Sequence, residues 1–291
     1  PLAPKKSKFK FFILILNHKK SPAAGLPKKL ASGIYLLNSY KLIWNSFSNY
    51  KRTLRIACFI SSHGYGHATR CLAVLDALSQ KFQPLEISIF SSFSKSFLEQ
   101  NLNSSKFTSH NTKTDIGLIQ KTPFEHDLAQ TVFEWERFLN FTSSENQKTA
   151  KIVKEINPEF IVCDISPLGI QLGKQFKIPT VLIENFTWDW IFQTYASEEP
   201  KFLPIIEKLN EIFRYPELRI QTDPICERVS GHPLVNPIFR MPRGSISETK
   251  RKMGLNENKQ AILITTGGIA QDFQFIQKLE QFPHYHFIVS G

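Results

Sequence analysis

The residues best equipped for chemistry lie in one run, Ser62-His63-Gly64-Tyr65-Gly66-His67-Ala68-Thr69-Arg70, directly after the apolar stretch Leu54 to Ile60. An imidazole titrates near neutral pH, so His67, at the junction of a loop and a helix, can take a proton from a substrate hydroxyl. Gly64 and Gly66 let the backbone approach a ligand closely, and the amino end of the following helix favours a polar oxygen or an anion. The bland alternative is that His63 and His67 only cap that helix. A dinucleotide fingerprint is disfavoured, because Thr69 stands where GxGxxG needs its third glycine. A second segment, Phe160-Ile161-Val162-Cys163-Asp164, places a carboxylate at the carboxyl end of another apolar run. Pro167 then opens a helix, which gives Asp164 the alternative role of capping it.

The elements that must position these groups follow from alternation of short apolar runs with amphipathic stretches, the pattern of βα units around a mainly parallel sheet. Strands are predicted at Leu54 to Ile60, Glu86 to Phe90, Phe160 to Cys163 and Thr180 to Ile183, and helices at Ala68 to Gln80, Glu145 to Ile156 and Pro167 to Phe176. Prolines at 233, 237 and 242 and a glycine at 244 mark residues 233–244 as a linker free of regular structure. A second unit then begins, with a helix from Ser247 to Met253, a strand from Ala261 to Thr265, a Gly267-Gly268 turn, a helix from Gln271 to Gln281 and a strand from Tyr285 to Ser290. Two strands do not close a parallel core, so the second unit reads as the opening of a truncated domain.

Composition narrows the partners. The net charge of +11 is concentrated in residues 1–52, which hold eleven Lys and Arg and no acid, while the remainder carries 25 basic and 25 acidic residues. The body is therefore neutral and offers nothing to nucleic acid, whereas the tail reads as disordered and suited to peripheral contact with an anionic membrane. The apolar run Phe9 to Leu16 is too short to span a bilayer, which takes about 20 residues. Cys58, Cys71, Cys163 and Cys226 form no CxxC or zinc-like pattern, which fits a reducing cytoplasm. The sequons at Asn103, Asn140 and Asn185 carry no weight without a secretory signal.

Taken together, Ser62 to Arg70, the run Phe160 to Gly169 with Ile178-Pro179-Thr180-Val181, Asn185-Phe186-Thr187-Trp188-Asp189-Trp190, Gly231 to Val235 and Ile262 to Gly268 resemble one family. It is the GT-B-type nucleotide-sugar glycosyltransferases, in particular a group that includes the glycosyltransferase-like N-terminal half of plant L-arabinokinase. The resemblance covers roughly Leu54 to Gly291 and is weakest between Glu99 and Phe141. It implies a Rossmann-like acceptor lobe over 53–232, the linker 233–244, and the start of a donor-binding lobe over 245–291. It also implies that His67 is the base that deprotonates an acceptor hydroxyl and that Asp164 orients and charges it. His63, Gly64, Tyr65, Gly66 and Arg70, with Asn185, Trp188 and Asp189 of the aromatic turn, are the candidates for binding substrate; core packing is the alternative for Trp188 and Trp190. Thr266, Gly267 and Gly268 are the candidates for holding donor phosphate through backbone amides, against the alternative of an ordinary tight turn.

The implied reaction moves a sugar from a nucleotide-diphosphate donor to an acceptor hydroxyl, with inversion, without a metal and without a cofactor. The competing readings are a non-catalytic sugar or nucleotide-sugar sensing lobe and a GT-B-shaped sugar-nucleotide epimerase. With its second lobe only begun, the 291-residue chain is expected to turn over no nucleotide sugar, which a donor-consumption assay checks. Deleting residues 1–52 is expected to leave the melting temperature of the body unchanged and to weaken binding to anionic vesicles, at about 1 kcal/mol per basic residue held at the surface; vesicle binding that survives the deletion contradicts this.

Overall fold

From Ile56 to Ile60 every residue is apolar, which suits a strand covered on both faces. In a computed structural model, which describes residues 53–102, 106–242, 244–256, 258–266 and 273–290, this segment lies at the centre of the main sheet. The basic segment 1–52 lies outside the described residues, so its expected disorder and membrane contact are not addressed by the fold.

The chain runs β1 (Leu54–Ile60), α1 (Tyr65–Ser79), β2 (Leu85–Ser91), α2 (Lys95–Asn101) and β3 (Phe107–Asn111). An antiparallel hairpin of β4 (Gln120–Thr122) and β5 (Glu125–His126) precedes α3 (Leu128–Phe138) and α4 (Ser144–Ile156). Then come β6 (Phe160–Asp164), α5 (Pro167–Phe176), β7 (Thr180–Glu184), α6 (Trp188–Gln193), α7 (Phe202–Arg214), β8 (Leu218–Thr222) and β9 (Leu234–Val235). Seven strands form a parallel sheet in the order β3-β2-β1-β6-β7-β8-β9. After α8 (Ile246–Lys252), β10 (Gln260–Thr265) and β11 (Tyr285–Ser290) make a separate parallel pair, with a 3-10 helix (Ile276–Gln281) between them.

The alternation along β1 divides the interior into two cores. Ala57 and Phe59 join Trp135, Leu168, Trp188, Phe192 and Phe202 on one face, beneath α3, α5, α6 and α7. Ile56, Cys58 and Ile60 join Cys71, Leu72, Leu75 and Leu78 of α1 on the other. Cys58 and Cys71 meet there, Sγ to Sγ 2.8 Å, and the hydrogen bond to Cys58 together with burial pushes the Cys71 thiol well up, so both behave as core residues. Among the described residues no helix is long and apolar enough to cross a membrane.

Three differences from the sequence reading have physical causes. First, α1 begins at Tyr65, because Gly64 at φ 113° turns the chain in one step; His67 therefore sits inside the first helical turn rather than at its junction. Second, residues 233–244 are not wholly irregular: the Pro233 carbonyl accepts from Gln221 N at 2.9 Å and β9 joins the sheet edge, where a proline's missing N–H costs no ladder bond. Third, the helix expected over Gln271 to Gln281 is a 3-10 segment from Ile276 with no buried residue, and 271–272 lie outside the described residues. No residue of β10 or β11 is buried.

Packing of α5 on the sheet leaves no room at Gly169, where a Cβ would stand 2.6 Å from both Cys163 Sγ and Phe59 Cγ. Gly169→Ala is expected to destabilise the lobe by about 1–3 kcal/mol through overpacking, read as a lower denaturation midpoint; an unchanged midpoint contradicts this packing.

Candidate functional site

The chain leaves β1 toward β2 and β3, then returns to place β6 on the other side of β1. Such a reversal opens a crevice at the carboxyl ends of the two central strands. Register makes the two ends neighbours: Ile60 pairs with Asp164, and Ser61 N donates to the Asp164 carbonyl at 3.2 Å. The loop that leads to His67 thus starts where Asp164 ends. His67 and Arg70, three apart on α1, share one face and both reach over β6.

His67 Nδ1 lies 2.8 Å from Asp164 Oδ1. Arg70 forks onto the same carboxylate, Nε to Oδ2 at 2.7 Å and Nη2 to Oδ1 at 2.6 Å, and its Nη1 donates to Asn185 Oδ1 at 2.7 Å. Neither imidazole caps α1, whose N-cap is Gly64 without a side-chain bond, and Asp164 does not cap α5, because the Ser166 hydroxyl accepts from Gly169 N at 3.2 Å. Between Asp164 and that cap, Ile165 adopts φ 45°, a left-handed conformation that costs a β-branched residue on the order of 1–3 kcal/mol.

Asp164 is fully buried, which opposes its ionisation; the charge and hydrogen bonds of Arg70, then the bond to His67, outweigh burial and hold its carboxyl below the usual range. An ionised carboxylate only accepts, so Nδ1 of His67 carries a proton, and in the neutral ring Nε2 holds the lone pair. His67 lines a cleft of about 230 Å³ with Gly66, Arg70, Asn185, Phe186, Thr222, Asp223, Pro237 and Ile238. The far wall is tied in by backbone bonds, Cys226 N to the Asn185 carbonyl at 2.9 Å and Asp223 N to the Val235 carbonyl at 3.0 Å.

Of the expected site residues, the structure therefore brings Gly66, His67, Arg70, Asp164 and Asn185 together. His63 stands one step away, its ring edge-on to Trp188 at 5.1 Å and fitted over Gly117, where a Cβ would clash with its Nδ1 at 2.4 Å. Trp188 is core: it is buried, and its Nε1 donates to Asp115 Oδ2 at 2.8 Å. Tyr65 turns outward onto Phe93 and Phe97, and the Asp189 carboxylate accepts from Asn210 of α7 at 3.2 Å. Gly64 shapes the start of α1. Thr266 follows β10, and Gly267 and Gly268 lie outside the described residues.

Sequence reasoning missed Asp115, Thr222 and Asp223. Asp115 is a buried acid whose carboxyl burial pushes up, against opposing hydrogen bonds from Ser61 and Trp188. Among the described residues no three His, Cys, Asp or Glu side chains are grouped to hold a metal ion.

No protein-family model matches the chain. Among curated proteins it is similar to the L-arabinokinase of Arabidopsis thaliana, 20% identical over 219 residues, which make up 74% of this chain and 21% of that protein. The chain thus spans about a fifth of the length of that relative. Among solved structures it is similar to CalG4, the calicheamicin glycosyltransferase, with a TM-score of 0.50 and 13% identity over 81% of this chain and 65% of that one. SsfS6, a glycosyltransferase of Streptomyces sp. SF2575, gives 0.47 and 11% over 81% and 68%. The likeness to CalG4 is one of fold: an α/β lobe with a mostly parallel seven-stranded sheet, of the GT-B kind.

Burial, then the neighbouring His67 and His126, lower the protonation of His63 from 6.5 to about 4. The folded state consequently binds fewer protons than the unfolded chain between those values, so stability present above pH 6.5 is lost as pH falls toward 4. His63→Gln removes this contribution. The stability gap between wild type and His63→Gln is expected to change by about 1–3 kcal/mol, against the wild type, from pH 7 to pH 4.5 in urea titrations; a gap independent of pH contradicts it.

Proposed function

We propose that this lobe holds a hydroxyl-bearing acceptor and activates it to receive a sugar from a nucleotide-diphosphate donor. The observation that carries the reading is the 2.8 Å contact between His67 and a fully buried Asp164 at the edge of an open cleft. A neutral imidazole whose Nδ1–H is committed to a carboxylate presents Nε2 as a base, and the carboxylate stabilises the imidazolium once the proton arrives.

In this reading the acceptor hydroxyl enters beside Gly66, Asn185 and Phe186. Its oxygen attacks the anomeric carbon while Nε2 takes its proton. The bond from that carbon to the diphosphate breaks, the nucleotide diphosphate leaves with the electron pair, and the configuration inverts. Thr266, which follows β10, and the next residues in sequence, Gly267-Gly268, are our candidates for holding the leaving diphosphate through backbone amides. No step calls on a metal. The acceptor lobe runs from residue 53 through β9, so the linker to the donor lobe begins after Val235. A second reading, a lobe that binds sugar or nucleotide sugar without transferring it, is favoured by the similarity to a protein named for a kinase activity.

The test uses the intact protein, incubated with a panel of uridine-diphosphate sugars and hydroxyl acceptors and analysed by mass spectrometry for glycosylated product. His67→Ala is expected to lower turnover roughly 10²- to 10⁴-fold with donor Kd unchanged. Donor binding by calorimetry without product from any acceptor would favour the sensing lobe, and near-normal turnover in His67→Ala would remove His67 as the base.

A further inference from the structure

Arg70 was expected to bind substrate, yet its side chain is 10% exposed and three of its nitrogens are already committed within the protein. We infer that Arg70 is a positioning residue that acts on the base through Asp164, fixing the charge and plane of the carboxylate and with them the tautomer of His67. The inference rests on the proposed role of His67 and adds what keeps that imidazole competent.

The argument is one of electrostatic and geometric necessity. A two-point guanidinium fork sets a carboxylate's plane as a single bond does not, and here it leaves His67 to share Oδ1 with Arg70. Remove the fork, and among the described residues a carboxylate shielded from water keeps only the imidazole of His67 as a side-chain hydrogen-bond partner, with no guanidinium to balance its charge. A buried charge so poorly compensated is relieved by a proton. Either Asp164 is protonated and donates to Nδ1, which moves the ring's own proton to Nε2, or the ring takes up a second proton and forms an ion pair. Both outcomes put a proton on Nε2, where the acceptor's proton has to go. Arg70 opposes the second outcome directly as well, since its Nη2 stands 3.3 Å from Nδ1 and disfavours another positive charge. Among the described residues no rival acid bonds to it: besides Asp164 and the Asn185 amide, its neighbours are His67 and, at longer range, the Cys71 thiol and Glu184, whose carboxylate accepts from Arg219 and Gln221.

The experiment is long-range 1H–15N NMR of the 291-residue chain labelled at histidine, at pH 8, with the His67 signals assigned by their loss in His67→Gln. Wild type is expected to show Nδ1 protonated and Nε2 unprotonated. Arg70→Gln is expected to shift most of the population to protonated Nε2, and Arg70→Lys, which restores charge without the fork, to give an intermediate distribution. An Arg70→Gln chain with a wild-type amide fingerprint and an unchanged His67 tautomer overturns the inference. Should Arg70→Gln fail to fold, Arg70→Lys decides in the same way: an altered tautomer ratio supports the inference and an unaltered one overturns it. In the intact protein, Arg70→Lys is expected to lower kcat by about tenfold or more with acceptor KM within about threefold, whereas an arginine that binds substrate would raise KM and spare kcat. The NMR result does not depend on turnover, so failure of the inference and failure of the proposed reaction are separable.

Discussion

A carboxylate withdrawn from water has to find its counter-charge within the protein, and Asp164, with no exposed surface, sets that condition at the end of the central strand pair. Desolvation alone would favour its protonated form, which can donate to the His67 ring instead of only accepting from it. Arg70 satisfies the condition with a fork, and His67 adds the third bond to the carboxylate oxygens. The arrangement requires α1 to start at once after β1, which Gly64 allows through its positive φ, and it requires β6 to lie against β1, which the return crossover provides. Were the register of β6 on β1 to slip by one residue, Asp164 would point to the other face of the sheet and all three contacts would fail.

The surroundings reinforce that core. On one side Asn185 takes the remaining arm of Arg70 and its carbonyl anchors the loop at Cys226, so the same residue joins the buried charge to the cleft wall. On the other side Trp188, held by Asp115, backs His63, whose protonation burial disfavours, so that a second positive charge does not accumulate near His67. The strained turn at Ile165 lets β6 end on Asp164 and still deliver Ser166 to cap α5. A cleft of polar edges and a single aromatic wall, Phe186, suits a ligand that presents both hydroxyls and an apolar face.

How much of this the sequence discloses depends on the kind of information each residue carries. Runs buried on both faces, such as Leu54–Ile60, and helices with a cap, such as Pro167–Phe176, declare themselves through pattern, and the structure gives them the same bounds. The amphipathic helix Phe202–Arg214 is equally periodic, burying Phe202, Ile205, Leu209 and Ile212, and was overlooked, as was β8. The meeting of His67 and Asp164, 97 residues apart, was indicated by resemblance, since no local spacing encodes which strands become neighbours. The buried partners of Arg70 and Trp188, the Asp164 and Asp115 carboxylates, are hidden for a related reason, since each lies far along the chain and no local spacing names it. Asp115 belongs to a loop after a polar edge strand, where neither period leaves a mark. The tail and the Gly267-Gly268 turn lie outside the described residues.

The central claim is that His67 and Asp164 work as one unit in turnover. The most direct measurement is kcat in the intact protein for His67→Ala, Asp164→Asn and the double variant. If the two act together, the double variant turns over at nearly the rate of His67→Ala alone, because the carboxylate has nothing left to orient. If the two losses multiply, the residues act independently and the pair is a structural contact rather than the base of the reaction.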